Sequence, residues 1–157
     1  MTNIKAQVMA ASWIVLLIHT TGLLASGGNA APLDPNYVQE CGSCHVAYPP
    51  RLLSASSWSA TMNGLSSHFG VDASLEPPAL ASISSYLAGN AKQKETRSTG
   101  GQPILRITET RWFLHEHDEI TESTWKLPAV RSRSNCSACH TTAEQGVYSE
   151  HKIRIPQ

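Results

Sequence analysis

The sequence has no cysteine outside two five-residue stretches, "CGSCH" at 41–45 and "CSACH" at 136–140, which hold all 4 thiols of the 157 residues. Only 2 Phe and 3 Met are present, and Met62 is the single methionine beyond the first 30 positions. Neither sign of charge is in excess, with 12 Lys+Arg against 12 Asp+Glu. No basic stripe forms, which sets nucleic-acid binding aside. A core with so few large apolar side chains needs a disulfide, a metal or some other added hydrophobic mass.

Long hydrophobic runs are equally scarce. The one example, Val8 to Leu24, follows Lys5 and precedes "SGGNA". A charged start, an apolar middle and a small-residue exit describe a secretory signal peptide, residues 1–30, with cleavage expected after Ala30. His19, Thr20, Thr21 and Gly22 interrupt the run and fit poorly to a retained anchor, which needs about 20 apolar residues. The expected mature chain, 31–157, has 11 Lys+Arg against 12 Asp+Glu and no second apolar run for stable membrane insertion. Export places it in a compartment that permits disulfides, such as a periplasm.

Three chemistries use thiols in this number: two structural disulfides, a four-thiolate zinc site, or covalent attachment of haem. The residue after each pair decides among them. Disulfides and zinc have no need of histidine there, yet His45 and His140 both occupy it. In haem attachment each thiol adds to a vinyl group and that histidine reaches one axial side of the iron. The reading is therefore two covalently bound haem c groups, held by Cys41 and Cys44 and by Cys136 and Cys139. Haem is also the apolar mass that the composition lacks.

The second axial ligands come from His68, His115, His117, His151 or Met62. If 110–120, "TRWFLHEHDEI", is a short helix, Phe113, His117 and Ile120 share its apolar face and His115 lies opposite with the acidic residues. His117 is then the inward candidate. In 57–70, "SWSATMNGLSSHFG", the stripe is Trp58, Met62, Leu65 and Phe69, with Gly70 as terminator. Periodicity there allows Met62 and places His68 beside the stripe, so the choice stays open on spacing alone. His151 reads as a solvated tail residue.

Asp34 and Pro35 predict a helix start leading through "NYVQECGSC", and "EPPALASISSYLAG" predicts another with Leu80, Ile83 and Leu87 on one face. Lys92 to Gln102 contains no apolar residue and reads as a linker or surface loop. The division expected is an N-terminal haem domain over 31–98 and a C-terminal one over 99–157. The fold class is all-α, with the second domain short, irregular and packed around its haem.

The stretches "YVQECGSCHVAYPPRLL", "SWSATMNGLSSHFGVDASL", "ISSYLAGNA", "RITETRWFLHEH" and "NCSACHTTAEQGVYSEHKIRIP" together make the chain resemble the diheme cytochromes c of bacterial periplasms. That resemblance implies a class I cytochrome c-like first half, a small haem-wrapping second half and two histidines on each iron. Motif by motif it assigns His68 and His117 as the distal ligands, with His45 and His140 proximal, overriding the weak case for Met62. Where His151 stands the family is usually acidic, and His151 is given no role.

Two imidazoles per iron leave no position for oxygen or peroxide, so the expected function is outer-sphere electron transfer without catalysis. Histidine in place of methionine implies low potentials. The resemblance suggests exported redox partners, either an oxygen-binding monohaem cytochrome or a membrane cytochrome. Acidic residues from Glu116 to Glu122 and basic ones at Lys126, Arg131 and Arg133 form either a docking pattern or a mixed solvated surface. The competing readings are a small haem enzyme or gas-binding sensor with one iron open, and a structural or haem-delivery protein.

Overall fold

The computed structural model describes residues 32–157. The leader reading of 1–30 lies outside the described residues, as does Ala31. The described residues form five α-helices, α1 (Pro35–Cys41), α2 (Ala55–Asn63), α3 (Pro77–Gly89), α4 (Arg111–Glu116) and α5 (Glu122–Trp125), joined by short 3-10 turns. Among the described residues there is no strand beyond isolated bridges, so the fold is all-α as expected.

α1 starts where the sequence signals it. The Asp34 carboxylate accepts from the Tyr37 N–H at 3.0 Å, and Pro35 takes the first helical position, where a missing N–H costs nothing. Ser54 caps α2 in the same way, and α3 opens on Pro77. α2 packs against α3, and α1 touches α3 as well. Between them Tyr37, Leu53, Trp58, Met62, Ile83 and Leu87 form one buried cluster. The Trp58 indole N–H is satisfied inside it by the Pro50 carbonyl at 2.7 Å. Each buried Leu, Ile or Met contributes roughly 1.5–3 kcal/mol. The first segment therefore carries a core of its own.

The polar stretch after α3 is tied to that core. The Lys92 N–H donates to the Leu53 carbonyl at 2.8 Å. Thr96 is buried, its hydroxyl oxygen 3.2 Å from the Ser54 N–H nitrogen, 2.9 Å from the Ser54 hydroxyl and 2.8 Å from the Ser57 hydroxyl. This network fastens the stretch by hydrogen bonds rather than apolar contact, a role that a search for hydrophobic residues does not detect.

Beyond it the apolar interior thins to Phe113, Val130 and Ala143. Short elements are held by local bonds instead. The Thr110 hydroxyl accepts from the Phe113 N–H at 3.1 Å to start α4. The C-terminal tail folds back on the second cysteine motif, with the Arg154 N–H on the Cys139 carbonyl at 2.8 Å and the Thr141 hydroxyl on the Lys152 carbonyl at 2.9 Å. Among the described residues no helix is long and apolar enough to cross a membrane.

Three helices stop earlier than periodicity predicts. α1 ends at Cys41 and does not run through Cys44, with Gly42 donating to the Val38 carbonyl at 2.8 Å as the chain turns. α2 ends at Asn63, one turn short of His68, because the chain tightens at Gly64 into the 3-10 turn Leu65–Ser67. α4 ends at Glu116. There the His117 ring occupies the Phe113 carbonyl at 3.0 Å, the acceptor that the His117 backbone N–H would use in a continuing helix.

Candidate haem sites

The first motif leaves α1 at Cys41, turns through 42–44 and places His45 at a bend. The His45 ring stacks on Tyr48, with centroids 4.8 Å apart, and its Nδ1 lies 2.8 Å from the Val46 carbonyl. A carbonyl can only accept, so Nδ1 carries the proton and Nε2 presents its lone pair to a metal.

His68 follows the Leu65–Ser67 turn and begins a tight reversal closed by the Val71 N–H on the His68 carbonyl at 3.1 Å. The two residues at its apex, Phe69 at φ 50° and Gly70 at φ 95°, are both left-handed. Glycine accepts that conformation freely; a phenylalanine there is strained. The reversal brings the His68 ring to 6.2 Å from the His45 ring, centroid to centroid, with 28° between planes. Met62, the rival candidate, is buried in the α2–α3 core.

In the second segment Phe113, His117 and Ile120 are the residues of 111–120 withdrawn from solvent, as the facing argument predicts, although the helix stops before His117. His115 is exposed, with Nδ1 4.0 Å from an Asp118 carboxylate oxygen. The His117 ring stacks on Phe113 at 4.1 Å, and its Nδ1 is committed to the Phe113 carbonyl, again freeing Nε2. Across from it His140 lies at 6.1 Å with 66° between planes. His151, in the 3-10 turn Glu150–Lys152, is exposed.

Two imidazoles bound trans to one metal, each by a bond of about 2.0 Å with about 1.2 Å from nitrogen to ring centre, have centroids roughly 6 Å apart. Both histidine pairs have that spacing. Burial, then His45, then the Arg106 cation lower the His68 pKa; burial, then His117, lower that of His140. These environments favour the neutral imidazole, the form that ligates a metal.

The thiols fit neither of the other chemistries. All four cysteines are unpaired, and among the described residues no group of three or more His, Cys, Asp or Glu side chains is gathered for a metal. Burial, with Glu40 and Cys44 adding to it, pushes the Cys41 thiol up to about 11, and burial raises Cys136 to about 11. A cleft of about 810 Å³ is lined by Cys44 and His45 on one side and Asn135 and Cys136 on another. That volume lies within the roughly 300–1,000 Å³ of cofactor sites. Outside the lining of that cleft, the His140 Nδ1 and the Tyr148 hydroxyl are buried with no protein partner. Unpaired polar atoms of that kind suit haem, which brings carboxylates of its own to the site.

Residues 37–148 match the family model for dihaem cytochrome c. The chain belongs to the dihaem cytochrome c family. It is 41% identical to the diheme cytochrome type c of Shewanella baltica OS155, covering 80% of this chain and 95% of that one with a TM-score of 0.69. Similarity to DHC purified from Rhodobacter sphaeroides is 44% identity over 76% of this chain and 100% of that chain, TM-score 0.65. A second structure of the Rhodobacter sphaeroides diheme cytochrome c gives 42% identity, 75% and 100% coverage, and TM-score 0.66. No functionally curated protein matches the chain. As a dihaem cytochrome c the protein carries two haem c groups and has a haem-based electron-transfer role.

Several residues that shape the sites gave no signal in the sequence. Tyr48 donates its hydroxyl to the Ser134 carbonyl at 2.8 Å, pinning the segment after the first motif to the segment before the second. The Arg106 guanidinium lies 3.9 Å over the Phe69 ring, and Arg133 lies 5.0 Å over Trp125. The Tyr48 and Arg106 contacts join residues distant in sequence, and the Arg133 contact spans a turn that the sequence does not announce.

Proposed function

We propose that this dihaem cytochrome c passes single electrons between exported redox proteins through two low-potential haems, each ligated by two histidines. Cys41 and Cys44 anchor the first haem, with His45 and His68 as its axial ligands. Cys136 and Cys139 anchor the second, with His140 and His117. The observation that carries the reading is the pair of imidazole separations, 6.2 Å and 6.1 Å, each between a motif histidine and a histidine from another segment.

Bound haem supplies a one-electron iron couple. The chain's own residues decide what that couple can do. Four imidazoles, two of them held by Nδ1–H bonds to the Val46 and Phe113 carbonyls, would leave each metal without an open position. Without an open position there is no site for oxygen or peroxide, which argues against catalysis. Nitrogen in place of a thioether on the distal side lowers the potential, because methionine ligation raises it. The buried position of Met62 in the α2–α3 core agrees with this choice.

One haem belongs to residues 31–98 and the other to 99–157. The chain is exported to a periplasm after cleavage at Ala30, and its partners are an oxygen-binding monohaem cytochrome or a membrane cytochrome met transiently. The acidic and basic stretches available for docking are partly paired with each other, since Arg133 is bonded to Glu122.

Adding carbon monoxide to the dithionite-reduced protein tests the coordination. No change in the Soret band is expected at either haem. A large shift in one of them establishes an open iron and replaces this reading with that of a haem enzyme or gas sensor. The mass of the exported protein tests the rest, with residues 31–157 plus two haems expected.

A further inference from the structure

Both distal histidines share an arrangement that the two halves do not share in sequence. His68 has the Phe69 ring 4.7 Å away, and the Arg106 guanidinium lies 3.9 Å over that ring. His117 has the Trp125 ring 6.0 Å away, with the Arg133 guanidinium 5.0 Å over it. Each arginine is in turn held by a carboxylate: Arg106 Nε lies 3.7 Å from Glu109, and Arg133 is bonded to Glu122. On both sides the order is carboxylate, guanidinium, aromatic ring, distal imidazole.

The arginines come from segments other than those bearing the histidines. Arg106 precedes the Ile107–Glu109 turn and reaches across to the Phe69 reversal; Arg133 precedes the second motif and reaches α5. At the first site the contact opposes a definite tendency to relax. Phe69 is left-handed at φ 50°, a strained conformation for a residue with a Cβ, and the residue is 47% exposed. A guanidinium is attracted to the face of an exposed aromatic ring, so the stack offsets part of that strain and favours the closed reversal.

We infer that Arg106 and Arg133 are positioning residues which, by clamping Phe69 and Trp125, hold His68 and His117 in place as the distal ligands of their respective haems. The inference rests on the bis-histidine reading. It adds that ligand retention is set at the surface, by two stacks outside the coordination sphere. Loosening a stack raises the population in which its histidine has left the metal, and carbon monoxide captures that population.

The variants Arg106→Leu and Arg133→Leu, with unchanged haem content, test this in the full-length reduced protein. Each is expected to raise carbon monoxide affinity at its own haem by roughly 2- to 5-fold. The Soret change should involve one haem in each single variant and both in the double variant. Phe69→Leu and Trp125→Leu, which remove the ring but keep apolar volume, should open the same haems and serve if an arginine variant does not fold. Wild-type protein inert to carbon monoxide, with all four variants equally inert, overturns the clamp and leaves the coordination reading intact. Wild-type protein that already binds the gas at both haems overturns the coordination reading itself. An opening of both haems by a single variant shows global loosening and also overturns the clamp.

Discussion

Single side chains decide how much of each candidate site was legible in the sequence. The inward placement of His117 was, because Phe113, His117 and Ile120 recur at helical spacing and are the withdrawn positions of their segment. The placement of His68 opposite His45 was not, because it follows a 3-10 turn and leads into a left-handed reversal, where helical spacing has no meaning. Met62 makes the contrast testable. It is 7% exposed within the α2–α3 core, so Met62→Leu is a volume-conserving core change, expected to cost less than about 1.5 kcal/mol in thermal unfolding and to leave the haem spectrum unchanged. His68→Ala should leave the core intact and make one haem reactive to carbon monoxide, changing about half the Soret intensity. If Met62→Leu instead produces that spectral change, the thioether is the ligand.

Among the elements, the starts of α1 and α3 and the end of α3 at Gly89 were legible, while the start of α2 and three other helix ends were not. Asp34–Pro35 and Pro77 mark starts through chemistry carried by one or two residues, whereas the Ser54 cap places the start of α2 ahead of the stretch read from 57. The ends at Cys41, Asn63 and Glu116 depend on where the next segment must go. Gly42 shows the constraint most directly, since a Cβ added there would lie 2.3 Å from the Val38 carbonyl oxygen. Gly42→Ala must therefore displace the backbone between Cys41 and Cys44, and a reduced yield of protein carrying two haems is expected, measured by mass. The stretch after α3 is the other lesson. It was read as a loop because it lacks apolar residues, yet Thr96 is buried by bonds to Ser54 and Ser57. Thr96→Val removes those bonds and strands the Ser54 N–H, which should destabilise the protein by about 1–3 kcal/mol and lower its thermal midpoint. A midpoint matching wild type would show that the strap contributes nothing.

At the scale of the whole molecule, the two motif-bearing segments meet at Tyr48, with a second tyrosine behind it and a third beside the second motif. Tyr48 donates to the Ser134 carbonyl, Tyr37 donates to the Tyr48 carbonyl at 2.8 Å, and Tyr148 lies beside the His140 ring at 5.2 Å. Nothing in the sequence announces this, because each phenol finds its partner through the fold and not through a motif. The consequence is a dependence on alkaline pH. Burial pushes the Tyr48 phenol up to about 12, and burial raises Tyr37 and Tyr148 as well. A phenol whose proton is held more tightly in the folded chain than in the unfolded one stabilises the fold fully below the unfolded value, about 10. Above it the unfolded chain loses those protons while the folded chain keeps them, so stability falls as pH rises toward the folded values. Denaturant midpoints should therefore be level with respect to these groups from pH 7 to about 9 and decline from about 10 upward. Tyr48→Phe should shallow that decline while slightly lowering the midpoint at pH 7, because one hydrogen bond between the segments is lost. An equally steep decline in the variant would remove Tyr48 from the alkaline transition and leave it to the other buried phenols.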